Sequence, residues 1–155
     1  MRLRVISVGQ KMPGWVDNAW QEYARRLPPE LPLELHEVPL RKRGKNPDIN
    51  RLRRDEGQDL LSASSGQHTV ALDGRGKPWS TEQLASRLEA WMGGGQDCAF
   101  LVGGPDGLDT ACLDAARERW SLGPLTFPHP LVRVILAEQL YRAWTITRNH
   151  PYHRA

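Results

Sequence analysis

The sequence predicts an α/β fold, a mainly parallel sheet flanked by helices, and three observations carry that expectation. Strand-like and helix-like segments alternate along the chain. The strand segments are almost continuously apolar, as strands covered on both faces are. Each is closed by glycine or proline rather than by the tight two-residue turn of a hairpin. At 155 residues, with 39% apolar and 25% charged side chains, the chain has the length and balance of one domain, residues 1–155, with an ordinary core.

The elements follow in order. Leu3 to Val8 is β-branched and ends at Gly9, so it reads as an inner strand. Trp15, Ala19, Trp20, Tyr23 and Leu27 then recur at helical spacing, with the tryptophans, Trp91 and Trp144 included, read as packing residues. Prolines 28, 29 and 32 break this helix before a second strand, Leu33 to Val38. Asp48 caps a helix from Ile49 to about Ser62. Thr69 to Leu72 is a third strand, closed by the turn Asp73-Gly74-Arg75-Gly76. Ser80, with Gln83 at the capping-box position, starts a helix through Trp91 that Gly93-Gly94-Gly95 ends. Cys98 to Val102 is a fourth strand, Ala111 to Arg119 a helix, and Trp120 to Leu122 a short fifth strand.

The chain's most apolar helix follows a loop punctuated by Gly123, Pro124, Pro128 and Pro130. Pro130 suits a first helical position, and no breaker appears from Leu131 until Pro151. Apolar side chains surround most of its circumference, so it needs covering on more than one side, and a second copy of the chain is the simplest supplier. Arg133, Glu138 and Arg142 argue against a membrane span. Glu138 and Arg142 are placed for a helical ion pair.

Charge is uneven although the formal net charge is only +3. Arg41, Lys42, Arg43, Lys45, Arg51, Arg53 and Arg54 face a single acid, Asp48, and the segment from Tyr141 to Ala155 carries Arg142, Arg148 and Arg154 with no acid. Two basic clusters together fit a polyanionic partner, whereas either one alone fits a solvated surface better. Cys98 and Cys112, and the five histidines, lack metal-ligand spacing, so no metal is expected. The N-terminus shows no signal-peptide pattern, which predicts a cytoplasmic protein.

In parallel sheets ligands bind beyond the carboxyl ends of strands. Three loops qualify: the turn after Leu72, the glycine turn after Val102, and Leu122 to Phe127. Gly103-Gly104-Pro105-Asp106-Gly107 is not GxGxxG, and Gly74-Arg75-Gly76-Lys77 lacks the spacing of a P-loop, so dinucleotide and ATP chemistry are disfavoured. No nucleophile elbow or carboxylate pair presents itself.

Four ordered motifs sharpen this. They are Phe100 to Gly107, Leu125 to Arg133 (Leu-Thr-Phe-Pro-His-Pro-Leu-Val-Arg), Glu138 to Ala143 (Glu-Gln-Leu-Tyr-Arg-Ala), and His150-Pro-Tyr-His153, with Val8 to Pro13 and Lys42 to Asn46 in support. The sequence resembles the bacterial 23S ribosomal RNA pseudouridine N3-methyltransferases, small members of the SPOUT superfamily, over the whole chain. The resemblance implies a C-terminal trefoil knot, a homodimer, an S-adenosylmethionine (S-adenosyl-L-methionine) pocket, and a substrate in 23S rRNA of the large subunit or assembled ribosome, with no membrane role. Carried over by motif, the cofactor contacts fall on Leu72, Gly103, Gly104, Leu122, Gly123, Pro124, Leu125, Thr126 and Phe127.

Methyl transfer to N3 requires the loss of a proton. Chemistry and motif position make Arg142, His129, Tyr152, His153 and Arg154 the catalytic candidates, with Arg133 beside them. A helix salt bridge is the competing role for Arg142, and a loop-structuring one for His129. Tyr152 and His153 fall in a tail without core-like pattern, which predicts ordering on RNA. The alternatives are a non-catalytic RNA-binding protein and a knotted methyltransferase acting on transfer RNA.

Overall fold

The computed structural model describes residues 1–154. Five strands, β1 (Leu3–Val8), β2 (Leu33–Val38), β3 (His68–Pro78), β4 (Cys98–Val102) and β5 (Glu118–Ser121), form one sheet in the order β2-β1-β4-β3-β5. Every pairing is parallel. The helices are α1 (Gly14–Ala24), α2 (Ile49–Ala63), α3 (Thr81–Gly94), α4 (Thr110–Ala115) and α5 (His129–Thr147).

Alternation along the strands feeds two cores. Leu3 and Val5 of β1, with Cys98, Phe100 and Val102 of β4, pack beneath α1, α3 and α5. Ile6 and Val8, with Ala99 and Leu101, face the opposite layer around α2 and α4. A sheet buried on both faces explains why its strands read as unbroken apolar runs rather than as a polar-apolar alternation.

Local signals place several elements. The Asp48 carboxylate accepts from the Arg51 N–H at the start of α2. Ser80 and Gln83 complete their reciprocal capping box, and Gly95 in the left-handed region (φ 70°) ends α3. Pro128 stands at the N-cap of α5, so the helix begins at His129 with Pro130 in its first turn.

Four expectations need correction. The residues read as a closing turn, Asp73 to Gly76, lie within an extended β3, as an irregularity that shifts the register between Leu72 and Lys77 against Trp120. Gly76 packs so close to β5 that a methyl group there would stand 2.6 Å from the Arg119 and Trp120 backbone. Helix α4 stops at Ala115 and β5 begins at Glu118, because Arg117 donates its N–H to the Thr69 carbonyl and joins the ladder. Trp15 is no packing residue: it is 59% exposed, whereas Trp20 and Trp91 are buried.

The fourth correction concerns Arg133, which is fully buried and therefore not poised to meet a substrate. Its Nη1 donates to Glu37 of β2 at 2.7 Å and its Nη2 to Ser7 of β1 at 3.2 Å, which bolts α5 to the sheet. Helix α5 lies over β1 and β4, flanked by α1 and α3, so the chain itself covers much of it. Leu131 and Ile135 remain half-covered and pack against neither core cluster.

Candidate active site

The chain leaving β1 turns towards β2 at one edge, while the chain leaving β4 crosses to β5 at the other. Such a divergence opens a crevice at the carboxyl ends of neighbouring strands. A cavity of about 700 Å³ lies beside it, beyond β4 and against β3 and β5. Its walls come from the end of the first half of β3 (Leu72, Asp73, Gly74), the turn after β4 (Val102 to Pro105, Gly107, Leu108), and the loop after β5 with the start of α5.

The turn after β4 is shaped by glycine. Gly107 N–H donates to the Gly104 carbonyl at 3.0 Å, and Gly107 takes a φ of 78°. A methyl group on Gly103 would stand 2.6 Å from the Gly107 carbonyl carbon, so no side chain fits while the turn keeps this form. Backbone amides are thereby brought to the cavity surface, where a ligand can approach them closely.

Of the cofactor positions taken from the motifs, Leu72, Gly103, Gly104, Leu122, Gly123, Leu125, Thr126 and Phe127 line this cavity. Pro124 is exposed and does not line it. Asp73, Val102, Trp120 and Val132 also contribute and had not been singled out. Asp73 follows a strand directly, the one signal that could have found it; its carboxylate is held below the usual range, chiefly by the Arg75 guanidinium that donates to it. Val132 and Trp120 read simply as core.

The catalytic candidates separate into two places. His129 lines the cavity beside Pro128 and Pro130, with its ring against Gly9. Its Nδ1 is buried without a hydrogen-bond partner. Burial, and secondarily the Arg133 charge, lower its pKa from the ordinary 6.5, so the ring is held neutral; Glu56 and the Val8 backbone oppose the shift.

Arg142, Tyr152 and His153 gather at the other end of α5. A rise of about 1.5 Å per residue puts Arg142 roughly 20 Å from His129 along the helix. Arg142 pairs with Glu138 at 2.6 Å, the ion pair read from the sequence. It also lies over the Tyr152 ring, 4.8 Å from the centroid. Tyr152 donates to Glu138 at 3.2 Å, and burial is the main cause that raises its pKa. Arginine has only donors, so His153 Nδ1 accepts from Arg142 at 3.2 Å, leaving Nε2 to donate to Glu82 at 2.9 Å. The tail is thus docked on α5 and α3 of its own subunit. Arg154 is exposed next to this cluster.

The basic loop also divides. Arg41 pairs with Asp59, and Arg43 with Glu56 and Asp106. Lys42, Lys45, Arg51 and Arg54 are exposed and have no acidic partner among the described residues.

A parallel sheet whose strand-end turns offer glycine backbone to one largely apolar cavity defines an α/β protein built to hold a small organic ligand. Comparison narrows the class: the family model described as "Predicted SPOUT methyltransferase" matches residues 1–153, and the chain belongs to that family. It is 57% identical over 155 residues to the Ribosomal RNA large subunit methyltransferase H of Hahella chejuensis (strain KCTC 2396), covering 99% of each chain. The protein of the same name from Stutzerimonas stutzeri (strain A1501) is 54% identical, over 99% of this chain and 100% of that one. Among solved structures, a probable methylase family protein from Haemophilus influenzae Rd KW20 shares the fold at a TM-score of 0.58 and 11% identity, covering 99% of this chain and 70% of that one. A probable methyltransferase from Bordetella pertussis Tohama I does so at 0.54 and 15%, covering 92% and 95%. No helix among the described residues is long and apolar enough to cross a membrane.

Proposed function

We propose that this methyltransferase modifies N3 of a pseudouridine in 23S ribosomal RNA, with S-adenosylmethionine as donor, acting in the cytoplasm as a knotted homodimer on the large subunit or the assembled ribosome. The single observation that carries the reading is the convergence on one cavity of the irregular middle of β3 and the loops after β4 and β5, the first of these loops compatible only with glycine at Gly103. The names of the two relatives, both above half identity over the full length, support the substrate class.

The cavity suits the donor. Its volume is within the range of about 300–1,000 Å³ of small-molecule sites. Leu72, Leu122, Leu125, Phe127 and Val132 give an apolar lining for an adenine and a thioether chain, and the glycine turn supplies backbone groups for polar edges. S-adenosylmethionine, when bound, supplies an electrophilic methyl group on a positive sulfur.

The chain's residues must hold the acceptor base and take the N3 proton. His129 borders the cavity as a neutral imidazole; its unpartnered Nδ1 is buried against Gly9, so the ring must turn to accept a proton from a bound base. Arg142, Tyr152 and His153 lie too far along α5 to reach the same atoms within one subunit. They serve the cavity of a second copy, with Tyr152 offering a face for base stacking and Arg142 and Arg154 a positive field. The half-covered Leu131 and Ile135 on α5 support self-association at this helix. The path from the edge strand β5 past the cavity and back over β1 and β4 supports the knot. Lys42, Lys45, Arg51 and Arg54 are free to meet phosphates.

Calorimetry with S-adenosylmethionine, followed by labelled methyl transfer to large subunits, to transfer RNA and to free rRNA with mapping of the modified base, tests the reading. Saturable binding and a modified pseudouridine N3 in 23S rRNA are expected. Absence of binding would leave a non-catalytic RNA-binding protein, and methylation confined to transfer RNA would reassign the substrate. Ile135→Glu should convert dimer to monomer in sedimentation and abolish transfer.

A further inference from the structure

The basic loop after β2 reads as an RNA-facing surface, yet its Arg43 turns inward. Nε and Nη2 of Arg43 donate to the Asp106 carboxylate at 3.2 and 2.6 Å. Nη1 and Nη2 also donate to Glu56 of α2 at 2.6 and 3.2 Å, and Nη1 to the Arg41 carbonyl. Glu56 is 3% exposed and is occupied further by the Arg41 N–H at 2.9 Å. One guanidinium therefore joins three pieces of chain distant in sequence: the basic loop, α2, and the turn after β4.

Asp106 is the one side chain of that turn bearing charge; its neighbours Gly103, Gly104, Pro105 and Gly107 line the cavity. The turn has little else to hold it. It is made of glycine and proline around one β-bridge from Gly104 to Gly107, so few side chains pack it in place. Its remaining contacts are apolar and undirected: a methyl group on Gly104 would stand 3.0 Å from Val8 Cγ1 of β1 and 3.4 Å from Leu40 Cδ1 of the basic loop. A two-carboxylate fork is directional, which suits it to fixing backbone position rather than merely adding attraction.

We propose that Arg43 is a positioning residue for methyl-donor binding: by gripping Asp106 against the buried Glu56, it holds the Gly103–Gly107 turn in the shape the donor requires. The proposal rests on the reading of the cavity as the donor site. It also makes the basic loop and one cavity wall a single mechanical unit, so that RNA held by Lys42 and Lys45 acts on donor affinity, and the donor on RNA affinity by the same factor.

The test compares S-adenosylmethionine affinity and steady-state kinetics across substitutions of the full-length protein. Arg43→Gln strands Glu56 and risks unfolding, so Asp106→Asn and Arg43→Lys carry the test; Asp106 is half-exposed and Arg43 keeps its charge in the second. Each should raise the dissociation constant and KM for S-adenosylmethionine about tenfold or more, since small displacements of positioning groups are costly, with kcat near wild type at saturating donor. The double variant should be little worse than either single one, because both cut the same link. Asp106→Glu should restore affinity. Asp59→Asn loosens the same loop by freeing Arg41 but touches no cavity residue, and should leave donor affinity within about twofold. Wild-type affinity in Asp106→Asn and Arg43→Lys, or an equal loss in Asp59→Asn, would overturn the positioning role while leaving the donor site standing. A wild-type protein that binds no donor would remove both.

Discussion

The Tyr152 ring meets Tyr141 edge-on, centroids 4.7 Å apart and planes at 66°. Tyr141 is buried in α5, so this contact fastens the C-terminal tail to its own subunit and delivers His153 to Arg142 and Glu82. Removing the tail after Arg148 leaves the cavity walls untouched. We expect S-adenosylmethionine affinity within about twofold of wild type and methyl transfer lowered by at least about 100-fold, the scale of a lost acid-base or positioning group. Calorimetry and single-turnover transfer check the two halves. Loss of donor binding would contradict this division between cavity and tail. Tyr152→Ala should cost stability as well, about 0.5–1.5 kcal/mol beyond its buried area for the aromatic pair.

Arg133 was grouped with the catalytic candidates by its motif, and its burial assigns it another task. It is a fully enclosed cation whose charge is met by Glu37 and whose Nη2 reaches Ser7. Arg133→Ala empties a fully enclosed volume and leaves Glu37, 31% exposed, to water, so about 2–5 kcal/mol of unfolding free energy should be lost, mainly to the cavity. Arg133→Met with Glu37→Gln removes both charges and keeps the volume, and should recover a large part of that loss. Urea denaturation reads both. A simple loss of activity in a fully stable Arg133→Ala protein would contradict the structural role.

The contrast between these two residues shows what the sequence made legible. Strand and helix identity, the caps at Asp48 and Ser80 and the Glu138–Arg142 pair depend on neighbours a few residues away, and all appear in the structure as read. The destinations of Arg133, Arg43 and Trp15 depend on which distant surfaces meet them. Arg133 finds a partner on β2 that precedes it by most of the chain, and Arg43 finds one on the turn after β4. Trp15 finds none within the subunit. The β5 boundary slipped for the same reason: Arg117 to Arg119 carry no strand pattern of their own and are drawn into the ladder by Thr69 and Val70. The tail carries no core-like pattern because its contacts are single side chains meeting α5 and α3, Tyr152 on the main core and His153 between Arg142 and Glu82.

Gly103 offers a test of the cavity that needs no change of charge. An added methyl group would face the Gly107 carbonyl carbon at 2.6 Å and the Leu108 nitrogen at 2.8 Å, both backbone atoms that cannot rotate aside. The turn must open to admit it. Gly103→Ala should therefore bind S-adenosylmethionine at least about 100-fold more weakly, the penalty for misplacing a binding element by an ångström. Gly93 of α3 lies away from the cavity and a methyl group there meets nothing, so Gly93→Ala should be nearly silent. Equal affinities in the two variants would show that the turn does not contact the ligand.

His129 provides a signature in pH. Its ring is pushed below the ordinary pKa of 6.5, first by burial and then by the Arg133 charge, against weaker opposition from Glu56 and the Val8 backbone. The unfolded chain therefore binds a proton at a pH where the folded one does not, and stability must rise with pH across that window. His129 contributes stability that is present above 6.5 and lost as pH falls through the lower folded-state value. Its replacement by Gln should flatten the slope of unfolding free energy as pH falls below 6.5, with little effect on the slope near neutrality. Activity should follow the same group: if the neutral ring takes the N3 proton, the acidic limb of the wild-type kcat profile must fall at a pH below 6.5. Urea denaturation of wild type and His129→Gln across this range, set beside the wild-type pH-rate profile, checks both, and parallel stability slopes would show that the imidazole is solvated rather than held neutral at the cavity wall.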